Sequence, residues 1–255
     1  MSYGYICGST QPDEIIQMGR GRAIAGAPIG ILLLDVWFPY MPGNVANAST
    51  WDFPVLYKIL KGTTISMIFS ADPALKSMIV EGGKELAQQG TRAIIGACGY
   101  FGHFQKEVAA ALDIPVYLSS LLQVPMVTMG LKTDQKVGII CASQESLNDR
   151  IFDACGIKDH TRLLIASAQD LPEFRHIIEC SGAFNSRKLE LEMVNLAKKF
   201  VADNPDIGAI LLECSDMPPY AYAIQNAVRL PVFDFTTLVN WVFGGVVRHP
   251  ITGMI

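Results

Sequence analysis

An internal repeat constrains this chain more than any other feature. Ala93-Ile94-Ile95-Gly96-Ala97-Cys98 aligns without a gap with Ala209-Ile210-Leu211-Leu212-Glu213-Cys214, 116 positions later. At the same spacing Phe104 meets Tyr220, Ile114-Pro115-Val116 meets Leu230-Pro231-Val232, and Ser120 meets Thr236. Ile29-Gly30-Ile31-Leu32 also resembles Val137-Gly138-Ile139-Ile140, at a spacing of 108. A short apolar match arises easily by chance. A cysteine closing the same apolar run in both halves, with matched flanks, does not. Such self-similarity means that the two halves share one architecture.

That architecture reads as alternating strands and helices. Short apolar runs at Ile29–Asp35, Thr63–Phe69, Arg92–Ala97 and Ile114–Leu118 have the length of buried parallel strands. Helical spacing fills Ala74–Gln89, closed by Gly90, and Phe104–Leu112. The second half repeats the rhythm: strands at Lys136–Cys141, Arg162–Ala166, Ile207–Glu213 and Leu230–Asp234, helices at Glu145–Ala154, Arg187–Ala202, Pro219–Val228 and Thr236–Phe243. The expected fold class is α/β: two pseudo-symmetric doubly wound lobes with parallel sheets, over residues 25–130 and 131–245, joined near Met129–Asp134.

Composition removes several classes of function. Charged residues make up 17% of the chain and the net charge is -4, with Lys and Arg scattered, so no basic surface for nucleic acid is expected. Met1–Gly26 lacks the apolar core of a signal peptide, and Ile29–Val36 is too short to span a bilayer. A cytoplasmic protein with no membrane partner is expected. Its cysteines at 7, 98, 141, 155, 180 and 214 should then be free thiols, and none has the spacing of a metal site. Cys7, Cys141, Cys155 and Cys180 read as small buried hydrophobes.

Cys98 and Cys214 read differently. Open parallel sheets bind ligands beyond the carboxyl ends of their strands, where both thiols fall, each just before a helix. Free N–H groups and the positive dipole end of such a helix favour a thiolate and can hold a carboxylate. Pseudo-symmetry would set the thiols on opposite walls of one cleft. Inversion at an acidic carbon needs that geometry, with a base on one face and an acid on the other. Donors for the developing negative charge are expected around Gly99 and Ser215 and from Ser119, Ser120 and Thr236.

The stretches Gly96-Ala97-Cys98-Gly99, Leu112-Asp113-Ile114-Pro115-Val116, Ser119-Ser120-Leu121 and Leu212-Glu213-Cys214-Ser215-Asp216-Met217-Pro218-Pro219-Tyr220-Ala221 resemble the aspartate/glutamate/hydantoin racemase superfamily, over roughly residues 29–243. The resemblance implies two facing lobes, no cofactor, and one catalytic cysteine per lobe, at Cys98 and Cys214. It implies a small carboxylate or hydantoin substrate and is compatible with a homo-oligomer. Pro42–Thr50 resembles the family's substrate loop, which would supply Asn47 and Ser49 or Thr50 as donors. Amino-acid racemases carry Cys-Asn-Thr and Cys-Thr where this chain has Cys98-Gly99-Tyr100 and Cys214-Ser215-Asp216. Gly99 would thereby remove a side chain from the pocket wall.

The expected activity is racemisation or epimerisation of an amino acid or related carbon acid. Maleate-type isomerisation and arylmalonate-type decarboxylation are the alternatives within the superfamily. Two other classes compete: a cysteine hydrolase using Cys98 with His103, which leaves Cys214 unexplained, and a non-catalytic protein closing on a small acid. Glu213 and Asp216 flank Cys214 as pocket groups or as a buried acid and a helix cap. Trp37, Phe38, Tyr40, Trp51 and Phe53 crowd the first loop as packing, with one or two available to line an apolar pocket. Asn44 and Asn47 beside Gly43 fit a turn as well as a binding loop.

Overall fold

The computed structural model describes residues 22–249, 251 and 253–254, so Cys7 and most of Met1–Gly26 lie outside the described residues. In chain order the elements are β1 (Ile29–Leu34), β2 (Val55–Leu60), α1 (Ile65–Phe69), α2 (Ala74–Gln88), β3 (Ala93–Gly96), α3 (Gln105–Ala111), β4 (Val116–Tyr117) and α4 (Val124–Met129). They continue with β5 (Lys136–Cys141), α5 (Asp149–Ala154), β6 (Leu163–Ser167), α6 (Pro172–Ile178), α7 (Ser186–Asp203), β7 (Ile207–Leu212), α8 (Ala221–Val228), β8 (Val232–Phe233) and α9 (Phe235–Val246). Two four-stranded parallel sheets result, ordered β2-β1-β3-β4 and β6-β5-β7-β8. The second order is the first shifted by four strands, so the sequence repeat is a repeat of whole lobes, as expected of the α/β class.

The glycines of the shorter repeat explain themselves here. A Cβ at Gly30 would stand 3.1 Å from Leu86 of α2, and one at Gly138 would stand 2.9 Å from Phe200 of α7. Each lobe's long helix lies against its central strand at the one residue without a side chain.

Successive residues of β1 serve opposite faces, as the strand period requires. Leu32 and Leu34 join Leu75, Ile79 and Leu86 of α2 in one cluster. Ile29 and Ile31 join Ala93 and Ile95 in another, closed by Phe235, Leu238, Val239 and Val242 of α9. Although α9 follows the last strand of the second sheet, it covers the first; α4 follows the first sheet and packs against β5 of the second. Dividing the chain at 130/131 therefore separates the strands of the two sheets but not all of their helices.

Two differences from the sequence reading have physical causes. Thr63–Phe69 is not a strand: the Thr64 side chain accepts the Met67 N–H and starts α1, while the sheet edge is β2, paired along its length with β1. At this length an apolar run serves either structure, and the cap decides. Helices α4 and α6 were not expected; each has a proline in its first turn, where the missing N–H costs nothing. Among the described residues no helix is long and apolar enough to cross a membrane.

Candidate active site

Both repeat cysteines end their strands in the same way. Cys98 is extended (φ -161°, ψ 128°) and caps the 3-10 helix Gly99–Phe104, which leads into α3. Cys214 follows β7 by two residues and precedes the 3-10 helix Pro218–Tyr220, which leads into α8. The matched Phe104 and Tyr220 both occupy the residue before the α-helix. Cys98 is half-buried and Cys214 buried, and both thiols line one cavity of about 610 Å3, its open mouth included.

Three elements complete that cavity. The loop after β1 contributes Phe38, Tyr40 and Asn44, α1 contributes Ile65, Ile68 and Phe69, and α6 contributes Phe174, Ile177 and Ile178. Tyr100, Ser215 and Asp216 lie in the wall beside the thiols, and among the described residues the lining contains no Lys, Arg or His. Asp216 joins the lobes: one carboxylate oxygen accepts the Asn44 side-chain amide and the other accepts the Cys214 thiol at 3.4 Å. Asn44 is itself oriented, because its Oδ1 accepts the Ala46 N–H at 2.7 Å.

The acids around the thiols are all shifted upward. Burial pushes Asp216 up to about 6 against the hydrogen bonds from Cys214 and Asn44. Burial pushes Glu213, which has no exposed surface, up to about 8. Burial, then the charge of Glu213, raises the Cys98 thiol, opposed by the backbone N–H groups of Tyr100 and Phe101. Burial, then Asp216 and Glu213, raises Cys214 well above the ordinary thiol range. The helix N-termini were expected to bring these thiols toward neutrality. They do act on Cys98 in that sense, but desolvation and two carboxylates outweigh them. Both cysteines rest as thiols at neutral pH.

Of the other residues singled out in the sequence, Ser215 reaches the cavity, with its hydroxyl donating to the Ala97 carbonyl at 2.9 Å. The rest hold the site's frame. Asn47 donates to the Tyr40 carbonyl at 2.9 Å and accepts from Ser49, while Thr50 is bonded to Gly43 and Asn44. Ser119 accepts the Leu121 N–H, Ser120 donates to the carbonyls of Leu212 and Glu213, and Thr236 donates to Asp234. These hydroxyls are committed to backbone and caps rather than directed at the cavity. Gly99 does not open the pocket wall either: a Cβ there would fall inside the Glu213 carboxyl, which fills the space.

His103 is buried against the Ser146 carbonyl at 3.3 Å and does not line the cavity, which leaves the Cys98–His103 hydrolase pair without support. Cys141 and Cys155 are buried as expected, whereas Cys180 is half-buried. Trp51 and Phe53 pack in the core, Trp37 is exposed, and Phe38 and Tyr40 are the aromatics that reach the pocket. Among the described residues no group of three or more His, Cys, Asp or Glu could hold a metal. Sequence reasoning gave α6 no role and weighed Asn44 as a turn residue and as a binding-loop residue alike. Its bond to Asp216 was not legible, because that partner lies 172 residues away.

This fold and this paired-thiol cleft define a class of enzymes. The model of the Asp/Glu/Hydantoin racemase family matches residues 63–241, and the chain belongs to that family. Dimethylsulfoniopropionate lyase 7 of Emiliania huxleyi is 30% identical, with 89% of this chain and 69% of that protein covered. A dimethylsulfoniopropionate lyase of Durusdinium sp. clade D is also 30% identical, covering 92% and 80% respectively. Among solved structures, the Gly74Cys mutant of arylmalonate decarboxylase superposes with a TM-score of 0.57 at 16% identity, over 89% of this chain and 97% of that one.

Proposed function

We propose that this protein removes the proton next to the carboxylate of a small substrate and expels a positively charged sulfur group from the neighbouring carbon, as a lyase of the dimethylsulfoniopropionate type. The observation that carries the reading is the cavity's composition. Phe38, Tyr40, Phe69, Tyr100 and Phe174 surround two thiols and the Asp216 carboxyl, with no cationic side chain in the wall among the described residues. A dicarboxylic amino acid would bring a second negative charge to a wall that already holds one. A sulfonium brings the missing positive charge, and aromatic faces attract such onium groups. The similarity to dimethylsulfoniopropionate lyases supports the same reading.

The chemistry follows from the acids present. Asp216 is ionised at neutral pH and already accepts the Cys214 thiol hydrogen. A sulfonium seated closer to the Cys214 sulfur than to the Asp216 carboxylate moves the existing negative charge toward sulfur: the Cys214 proton passes to Asp216 and leaves a thiolate. The thiolate takes the proton from the carbon beside the carboxylate. The C–H electron pair becomes the new C=C bond, the C–S bond breaks, and its electrons leave on sulfur. Dimethyl sulfide and acrylate result, and Asp216 returns its proton to water. Cys98, on the other lobe, stays protonated and donates to the carboxylate as charge moves onto it. No cofactor enters this sequence.

Purified, reduced protein incubated with dimethylsulfoniopropionate should release dimethyl sulfide into the headspace and acrylate into solution in equal amounts. Cys214→Ala should lower the rate about a thousandfold and Cys98→Ala about a hundredfold, the range of a lost proton-transfer group. The pseudo-symmetric thiols favour a second reading, two-base inversion of an α-carbon. In D2O, deuterium entering aspartate, glutamate or a hydantoin with no sulfide released from the sulfonium acid would establish that reading instead.

A further inference from the structure

Glu213 has no part in the reaction just described, yet the fold is arranged around it. Its side chain has no exposed surface, and it sits between the last residue of β7 and Cys214. One carboxyl oxygen accepts the Ala142 N–H at 3.3 Å; the other, Oε1, finds no hydrogen-bond partner among the described residues. That oxygen lies against Gly99, the neighbour of Cys98, so closely that no side chain fits there. The titratable groups acting with it are Cys98, Tyr100, Cys141, Cys155, Cys214 and Asp216, all of them acids. The Tyr100 hydroxyl beside it also donates to the Ser143 carbonyl at 2.7 Å, so its single hydrogen is shared between two acceptors. An anion placed here would meet one weak N–H bond, a share of that hydroxyl and, among the described residues, no positive charge, which a buried carboxylate tolerates poorly.

We propose that Glu213 is a positioning residue which, as a neutral acid tucked against Gly99, permits Cys98 to titrate, and which on ionising at alkaline pH holds that thiol protonated. The proton on Glu213 is the switch, and burial between the two strand ends is what makes it titrate near the working range. From the functional reading it borrows only that Cys98 lies in a working site.

The test reads the thiol directly and needs no substrate. The pH dependence of Cys98 alkylation by iodoacetamide, followed by peptide mass spectrometry, would be compared between the wild type and Glu213→Gln. The amide keeps the shape and cannot ionise. The midpoint for Cys98 should fall by about one pH unit or more, making alkylation about tenfold faster near the wild-type midpoint. An unchanged midpoint in a folded Gln variant overturns the proposal. If the Gln variant does not fold, Glu213→Asp decides: withdrawing the charge by one methylene should lower the midpoint, and no change again overturns it. A shifted midpoint in a protein that turns over no sulfonium acid leaves this inference standing and removes the substrate reading.

Discussion

At the scale of single residues the site is governed by burial of acids. In the proposed elimination, Asp216 is the acid whose titration governs turnover. Because it must be ionised to take the Cys214 proton, the rate should fall as pH drops through about 6. Asp216→Asn should lower the rate about a hundredfold and abolish that acid limb in what remains, as a pH–rate profile would reveal. A residual rate with the same limb would place the titration elsewhere. Glu213 makes a separate statement about stability. Its folded value, about 8, lies above the ordinary carboxyl value of 4.5, so the folded protein binds this proton more tightly than the unfolded chain. Its stabilising contribution is fully present below the unfolded value and is lost as pH rises through about 8. Glu213→Gln should therefore melt close to the wild type near pH 5 and several degrees above it near pH 9. A gap that is equal at both pH values would mean that the carboxyl keeps no proton on folding.

At the scale of elements, how much can be read from sequence depends on how local the determining interaction is. The central strands were legible because β1, β3, β5 and β7 are buried on both faces and read as apolar runs. The edge strand β2 was not: Val55–Leu60 is only half-buried and carries Lys58, and the charge-free Thr63–Phe69 beside it competed for the assignment. The cysteines were legible because the repeat marks strand ends. Asn44 and α6 were not, because what places them is contact across the molecule. Helix α9 shows the same limit, since nothing in Phe235–Val246 says which sheet it covers. Its role is testable. Leu238 is almost fully buried beneath the first sheet, so Leu238→Ala should cost about 2–5 kcal/mol in denaturant unfolding. A cost below ~1 kcal/mol would mean that α9 does not seal that face.

At the scale of the whole molecule the question is whether the site sits between two mobile lobes or on a fixed seam. The seam is buried, one apolar cluster runs through it from lobe to lobe, and it is hydrogen-bonded in both directions. Ser120 reaches across to the Leu212 carbonyl at 3.0 Å, Ser215 reaches back to Ala97 at 2.9 Å, and Gln123 bonds the Asp234 carbonyl at 2.9 Å. Buried polar groups of this kind are costly to separate, because each would lose its partner without gaining water in a closed interior. With α4 and α9 exchanged as well, neither lobe keeps a complete core alone, so the chain should unfold in one cooperative step. The tryptophans make this easy to see. Two belong to the first lobe's side, Trp51 after β1 and Trp241 on α9 against Tyr117, while the Trp37 ring lies against Gly182 of the second lobe. In a Trp37→Phe variant, tryptophan emission thus reports the first sheet and its covering helix, while far-ultraviolet circular dichroism reports both lobes. The two signals should share one midpoint and one slope in urea. If dichroism instead showed a second transition absent from emission, the second lobe would be unfolding on its own. The seam would then be a contact that opens, and Asn44 would meet Asp216 only in the closed form.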